Sequence, residues 1–210
     1  FDYVIRVLNA PEEVNAVEWN ELLYSNSQAS PFMRHEYLLA LHTSGSAVPE
    51  TGWTPKFILL ERSGNLVGAC ALYIKSHSYG EYVFDWAWAD AYQRSGLNYY
   101  PKLLAAIPFT PITSPRLLAK NNEIKNLMMA ALGETMLKHK LSSVHVIFPD
   151  DDSALALLQD GWMQRHGVQF RWENEGFHGY NGYAWYRKHF SISQKYRNRT
   201  IHIGFFLSML

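Results

Sequence analysis

Residues 121–149, NNEIKNLMMAALGETMLKHKLSSVHVIFP, predict a long helix followed by a buried strand. Apolar side chains recur every three or four positions from Ile124 to Met136, which is the period of one helix face. Asn121 is suited to cap the start of this helix. The short apolar run at 143–149 is typical of a strand buried on both faces. This pairing of a helix with a buried strand is typical of α/β proteins.

The chain before this region alternates between strand and helix patterns. The predicted elements are a strand at 3–8, a helix opening at Pro11, a helix at 30–45 ending at Gly45, and a hairpin of strands 56–62 and 66–76.

Three further elements surround the long helix. A strand is predicted at 112–118, a helix capped by aspartate begins at about residue 150 and closes at Gly161, and an alternating strand covers 166–172. Hairpin strands first, and strands alternating with helices later, predict a single mixed sheet flanked by helices, with helix 122–140 on one face.

Composition excludes some functions and favours a location. The net charge is zero and the pI is near 7.3, so charge does not indicate nucleic acid or an anionic membrane as an obligate partner, although a local RNA contact stays open. The single cysteine, Cys70, cannot form an intramolecular disulfide and suits a reducing, cytoplasmic setting. The longest apolar run, 103–107, is far below the roughly 20 residues of a membrane span.

The last part of the chain has a different composition. Residues 176–210 contain no Asp or Glu, are rich in Tyr, His, Arg and Asn, and show no clean period. We expect this tail to pack poorly. It is interpreted as a basic arm, the start of a second unit, or out-of-frame sequence.

The stretch KSHSYGEYVFDWAWAD (75–90) places acids among aromatic rings. An alternating strand here would direct Asp85 to one face and the side chains of Trp86, Trp88 and Asp90 to the other. Burial against rings would raise the pKa of Asp85 and make it a usable general base near neutrality. The alternative is that Asp85 only accepts structural hydrogen bonds.

Other side chains of this region offer competing roles. Glu81 and His77 flank the turn at Gly80 and are alternative bases, or else solvated loop residues. Lys75, Lys102 and Arg116 suit phosphate or carboxylate, or are ordinary surface charges. The Trp and Tyr rings suit stacking on a sugar or nucleoside, or are core. No histidine pair has metal-ligand spacing, so no metal site is predicted.

The motif SHSYGEYVFDWAWADAY, with NYYPKLLAAIPFTPITSPRLL, resembles the bacterial FemAB-like family of peptidoglycan biosynthesis or recognition, assigned to the GNAT superfamily. The segments SPFMRHEYLLALHTSGS, ETGWTP and GVQFRW fit the same family, so the resemblance covers about residues 29–174. Family members have two acyltransferase-like halves, of which this chain resembles the first. Arg171 stands where they usually carry histidine.

The resemblance implies a GNAT-like N-acyltransferase domain at 1–175, whose central strands splay to hold an acyl donor. The donor would be acyl-CoA or an aminoacyl-tRNA, and the acceptor an amine of a cell-wall precursor or similar small molecule. Candidate catalytic residues are Asp85, Glu81 and His77. Candidate substrate-binding residues are Tyr79, Trp86, Trp88, Asp90, Tyr99, Tyr100, Lys102 and Arg171.

Two observations bear on this hypothesis. The segment before the long helix, RLLAKNNEIKN (116–126), lacks the glycines that usually hold the CoA pyrophosphate, which favours an aminoacyl-tRNA donor. A non-catalytic recognition module with the same fold is the competing hypothesis, and it would gain if Asp85, Glu81 and His77 were all buried in pairs.

Overall fold

A computed structural model describes residues 3–83, 85–166 and 206–209. It is a mixed α/β structure with two sheets and five α-helices, which confirms the predicted fold class. The strands are β1 Tyr3–Leu8, β2 Trp53–Pro55, β3 Phe57–Arg62, β4 Asn65–Cys70, β5 Leu72–Lys75, β6 Lys102–Ala105, β7 Leu118–Ala119, β8 Val144–Ile147, β9 Met163–Arg165 and β10 Phe206–Met209. The helices are α1 Ala16–Tyr24, α2 His35–Thr43, α3 Trp86–Arg94, α4 Asn122–Lys138 and α5 Asp151–Gln159.

The prediction of a single sheet is wrong. One sheet has the strand order β1-β3-β4-β7 and the other has the order β2-β5-β6-β8-β10-β9. The division falls at two breaks in the chain. Lys56, where the first arm of the hairpin was predicted to begin, separates β2 from β3, and Ala71, within the predicted second arm, separates β4 from β5. The Lys56 N–H donates to the Leu72 carbonyl at 2.7 Å between these breaks. The arms therefore bend together, and each contributes one strand to each sheet.

The predicted strand at 112–118 is also wrong, apart from Leu118 and an isolated bridge between Ser114 and Pro149. Its place beside the hairpin is shared by β6 and β7, because Ala105 pairs with Leu72 and Leu118 pairs with Ala69. Residues 106–117 form an excursion between them. Pro108 and Pro111 lack the N–H that a central strand requires, which favours a loop over a continuous strand there.

Arg116 anchors the end of this excursion. Its side chain is 1% exposed and donates to the carbonyls of Ile147 at 2.8 Å, Ile112 at 2.8 Å and Ser114 at 3.4 Å. Burial lowers the pKa of Arg116 to about 9. The side chain thus satisfies backbone carbonyls where the excursion meets β8, which excludes the surface-charge interpretation.

The long helix and its cap are confirmed. Asn121 Oδ1 accepts from the Ile124 N–H at 2.9 Å, and α4 packs on β4. A Cβ at Gly68 would lie 2.7 Å from Ile124, so the absent side chain lets the helix approach the sheet. The Asp150 cap of α5 is confirmed as well, with Oδ1 accepting from the Ser153 N–H at 3.1 Å.

Several element boundaries differ from the predictions. Pro11–Glu13 forms a separate 3-10 turn, and α1 starts later, capped by Asn15. Pro31–Met33 is likewise a 3-10 turn before α2. The predicted strand at 166–172 lies, apart from His166, outside the described residues, as do residues 176–205 and 210 of the tail. Residues 206–209 form β10, which pairs with both β8 and β9, so the expectation of poor packing is wrong for this part of the tail.

Candidate active site

The stretch 75–90 does not form the predicted strand. β5 ends at Lys75, residues 76–83 form turns, and α3 begins at Trp86 with Asp85 at its amino-terminal cap position. The alternation prediction for Asp85 is therefore wrong. The helix leaves the Trp86 side chain 62% exposed and the Trp88 side chain 38% exposed, while Asp85 is buried.

Glu81, Asp85 and Lys102 form a buried ion cluster. Lys102, the first residue of β6, places Nζ 2.8 Å from Glu81 Oε2 and 2.5 Å from Asp85 Oδ2. All three side chains are inaccessible to solvent. Lys102 Nζ also donates to Ser78 Oγ at 3.2 Å, so one ammonium ties the turn at 78–85 to the sheet.

The two carboxyls of the ion cluster titrate differently. Burial, the largest single influence, acts to raise the pKa of Asp85. The attraction and hydrogen bond of Lys102 and the smaller contributions of neighbouring groups together outweigh it, so the pKa of Asp85 lies below its ordinary value. The expectation of a raised pKa for Asp85 is therefore wrong. Burial does raise the pKa of Glu81, against the opposing attraction of Lys102. Among the described residues, no donor satisfies Glu81 Oε1, which is buried.

Polar and aromatic side chains from other elements lie next to the ion cluster. The Tyr100 hydroxyl lies 2.6 Å from Ser78 Oγ, Arg165 Nη1 lies 3.4 Å from Asp85 Oδ1, and His145 Nδ1 lies 4.0 Å from Asp85 Oδ2. Burial lowers the pKa of His145 to about 3, so its ring is neutral at pH 7. Lys102 is therefore the main source of the low pKa of Asp85.

The buried face of Tyr99 and the exposed ring of Trp88 meet beside Arg165. The Arg165 guanidinium lies 5.0 Å from the centre of the Trp88 ring. These groups enclose a small cavity of about 20 Å³, room for roughly one water molecule. The cavity is too small for a substrate.

A larger cleft opens on the other side of Gly80. It has a volume of about 460 Å³ and is lined by Leu41, Ser46, Thr51, Trp53, His77, Tyr79 and Phe109. We call it the aromatic cleft. A Cβ at Gly80 would lie 2.6 Å from the Phe109 ring, so glycine lets the tip of the 106–117 excursion close this end of the cleft.

His77 is held in a defined orientation in the cleft. Its Nδ1 accepts from the Tyr79 N–H at 3.2 Å, so in the neutral ring Nε2 carries the proton. Burial, together with the charge of Lys75, lowers the pKa of His77. The ring is therefore neutral near pH 7, and it forms a further hydrogen bond with the Thr51 backbone.

Lys75 lies directly behind the wall of the aromatic cleft. Its Nζ is 3.6 Å from the centre of the Trp53 ring and donates to the Tyr79 carbonyl at 3.2 Å. Burial lowers the pKa of Lys75 to about 7, against the attraction of Glu81. This burial does not fit the sequence-based interpretations of Lys75 as a phosphate or carboxylate ligand or as a surface charge. Its alternation with Tyr73 on one strand face was the signal that it is buried.

Residues 10–199 match the family model for FemAB-like proteins, described as peptidoglycan biosynthesis/recognition. The chain belongs to the FemAB-like family. This confirms the resemblance and extends it through most of the residues that the sequence analysis set apart as a tail. No curated protein matches the sequence.

Solved structures place the FemAB-like chain in the GNAT fold. A GNAT-family protein from Desulfovibrio desulfuricans aligns with a TM-score of 0.51 and 8% identity, over 99% of this chain and 98% of that one. The polyamine N-acetyltransferase of Drosophila melanogaster, which forms N-acetylagmatine, aligns with a TM-score of 0.50 and 13% identity, over 99% of both chains. At such identities the similarity establishes the fold.

The structure separates the predicted site residues of this FemAB-like chain. Glu81, Asp85 and Lys102 meet in the ion cluster, and Tyr99 and Tyr100 border it. His77 and Tyr79 line the aromatic cleft. Trp86 and Asp90 lie on the outer face of α3, where Asp90 pairs with Arg94 at 2.9 Å. Arg171 lies outside the described residues.

Neither a membrane-spanning helix nor a metal-ligand cluster occurs among the described residues. In the part of the chain that the structure describes, no helix is long and apolar enough to span a bilayer. Within the same residues, no group of three or more His, Cys, Asp or Glu side chains is arranged to hold a metal ion.

Proposed function

We propose that this FemAB-like chain is an N-acyltransferase that transfers an acyl or aminoacyl group to an amine, with a peptidoglycan precursor or similar metabolite as acceptor. The donor is an acyl thioester such as acyl-CoA, or an aminoacyl-tRNA. The observation that carries the proposal is the buried, unsatisfied Oε1 of Glu81, which directly follows Gly80, the residue packed against Phe109 in the lining of a substrate-sized cleft.

Amine acylation needs an acceptor for the amine proton. The amine nitrogen attacks the carbonyl carbon, the new C–N bond forms, and the C–S or C–O bond to the donor breaks. In our proposal the proton passes to Glu81 Oε1, directly or through water. The raised pKa of Glu81 suits a general base, because it brings the carboxyl closer to neutral pH. Lys102 holds the other oxygen of this carboxylate in place.

The aromatic cleft supplies the substrate side of the proposal. His77 contributes its ring to the wall of the cleft, because its Nε2 edge packs against Gly52 and the Thr51 backbone hydrogen-bonds the ring. Tyr79 forms an exposed wall. Asp85 is assigned a positioning role, because its lowered pKa makes it a weak base and its partner Lys102 also binds Glu81.

The test is Glu81→Gln, which keeps the shape and one acceptor for Lys102. With acyl-CoA or aminoacyl-tRNA donors and a panel of amine acceptors, product measured by mass spectrometry should form about 10²-fold more slowly, with folding retained. Glu134→Gln, on the exposed face of α4, is the matched control and should leave the rate unchanged. Equal rates for Glu81→Gln and the wild type would contradict the role of Glu81.

A recognition module without catalysis is the second candidate. It is favoured by the pairing of both Glu81 and Asp85 with Lys102, since structural ion pairs also occupy buried sites. In that case, no donor would give product, yet the chain would bind peptidoglycan fragments when they are titrated into it.

A further inference from the structure

We propose that the aromatic cleft binds an uncharged, apolar acyl chain and discriminates against groups that carry an ammonium. This inference rests on the proposed acyl transfer and specifies the donor: a simple acyl group is selected over an aminoacyl group. Two features of the cleft support it: an apolar lining and the charge of Lys75 behind the wall.

The lining of the aromatic cleft offers little to a polar ligand. Its aromatic rings and Leu41 are apolar, and the hydroxyls of Ser46 and Thr51 are already engaged within the protein. Thr51 Oγ1 donates to the Ser46 carbonyl at 2.8 Å, and the Ser46 hydroxyl lies 2.9 Å from Ser44 Oγ. His77 Nδ1 is engaged by the Tyr79 N–H. An apolar chain would bury surface here without leaving polar groups unpaired.

The charge behind the wall opposes a second cation. Aromatic rings attract ammonium groups through their faces, but Lys75 already occupies one face of Trp53. Among the described residues, no carboxylate lines the cleft, and none forms a salt bridge with Lys75. A ligand ammonium in the cleft would therefore meet the like charge that is held against the Trp53 ring.

The ion cluster does not cancel this charge. The charges of Glu81 and Lys102 both act on the pKa of Lys75. The charge of Lys75 in turn lowers the pKa of His77 in the cleft. Lys102 is paired with Glu81 and Asp85, and Arg165 also contacts Asp85. Both carboxylates of the ion cluster are thus already paired with other cations, so the positive charge of Lys75 next to the cleft wall is not neutralised.

Binding of two probes with similar chains tests the proposal without any turnover. Hexanamide and hexylammonium would be titrated by ligand-observed NMR at about pH 6.5, where Lys75 is largely charged. We expect hexanamide to bind at least about 5-fold more tightly. Lys75→Met should reduce that ratio to below about 2-fold, whereas Lys138→Met, at an exposed lysine of α4, should preserve it.

Location is tested with a matched pair of tyrosines. Tyr79→Ser should weaken hexanamide binding several-fold, because Tyr79 lines the cleft. Tyr24→Ser removes a similarly exposed ring from α1 and should have no effect. Hexylammonium binding as tightly as hexanamide, loss of binding in both tyrosine variants, or no hexanamide binding would each overturn the proposal.

The binding results and the acyl-transfer results can fail independently. Hexanamide binding with no acyl transfer from any donor would remove the enzyme and leave the binding site. Transfer from aminoacyl-tRNA alone, with hexylammonium preferred, would keep the enzyme and remove the acyl specificity.

Discussion

The ion cluster and the aromatic cleft lie on either side of Gly80, yet they use the same stretch of sequence in opposite ways. The cluster buries two carboxylates around Lys102, while the cleft presents rings and a neutral His77 to an open volume. Lys75 is the side chain between them. The comparison shows that acids among rings are not by themselves a catalytic site: here most of the charge is paired, and the accessible space is apolar.

The largest expected effect is the loss of Lys102. In Lys102→Met the two carboxyls of the ion cluster lose their shared cation, and leaving buried charges without a partner typically costs about 3–5 kcal/mol. We expect the free energy of unfolding, measured with urea at pH 7, to fall by that amount. Lys138→Met should change it by less than about 0.5 kcal/mol. A small loss at Lys102 would mean that the cluster is hydrated and not a structural unit.

The second prediction separates the two carboxyls by pH. The pKa of Asp85 is lowered, so its stabilising effect is present above its unfolded pKa of about 3.9 and is lost as pH falls through the folded value. Asp85→Asn should therefore cost about 2 kcal/mol at pH 7 and progressively less below about pH 4. Urea unfolding at several pH values measures this. A cost independent of pH would show that the amide fails for steric reasons and not for lack of charge.

The third prediction concerns Lys75, whose pKa is lowered to about 7. Between that value and the unfolded pKa of about 10.4, the unfolded chain binds more protons, so folded-state stability rises with pH. In Lys75→Met this rise is absent. We expect the difference in unfolding free energy between wild type and variant to change by about 1 kcal/mol from pH 7 to pH 9.5. This is less than the full pKa difference would give, because protein interiors respond to a buried charge with a higher effective dielectric constant than a dry interior would. Parallel stability curves for the two proteins would place Lys75 in water.

Local signals in the sequence were enough for several elements. The period and the Asn121 cap predict α4, the Asp150 cap predicts α5, and SGN predicts the hairpin turn. Each depends on residues close together in the chain. The fold class followed from their order, and the family resemblance predicted the GNAT fold.

Other features depend on contacts between distant segments. Asp85 was placed on a strand because its neighbours alternate, but Lys102 draws it to the amino terminus of α3. The same distant lysine reverses the expected direction of the Asp85 pKa. The bends at Lys56 and Ala71 divide the sheet, and neither residue type signals a break. The sequence pattern of one segment cannot predict these features, because residues of a different segment cause them.

The smallest predicted effect tests the backbone that joins the cluster to the cleft. Tyr82, one residue after Glu81, has φ of 57°, a left-handed conformation that costs a residue with a Cβ about 1–2 kcal/mol. Its side chain is 57% exposed, so the ring itself contributes little packing. Tyr82→Gly removes the steric cost but adds the larger chain entropy of glycine in the unfolded state. Tyr82→Ala removes the same ring and keeps the Cβ, so it is the matched reference. We expect the glycine variant to be more stable than the alanine variant by about 0.5–1 kcal/mol in urea unfolding, with the wild type close to alanine. Alanine equal to glycine would mean that the turn relaxes to a right-handed conformation, and Glu81 would then not be held by a strained backbone next to Lys102.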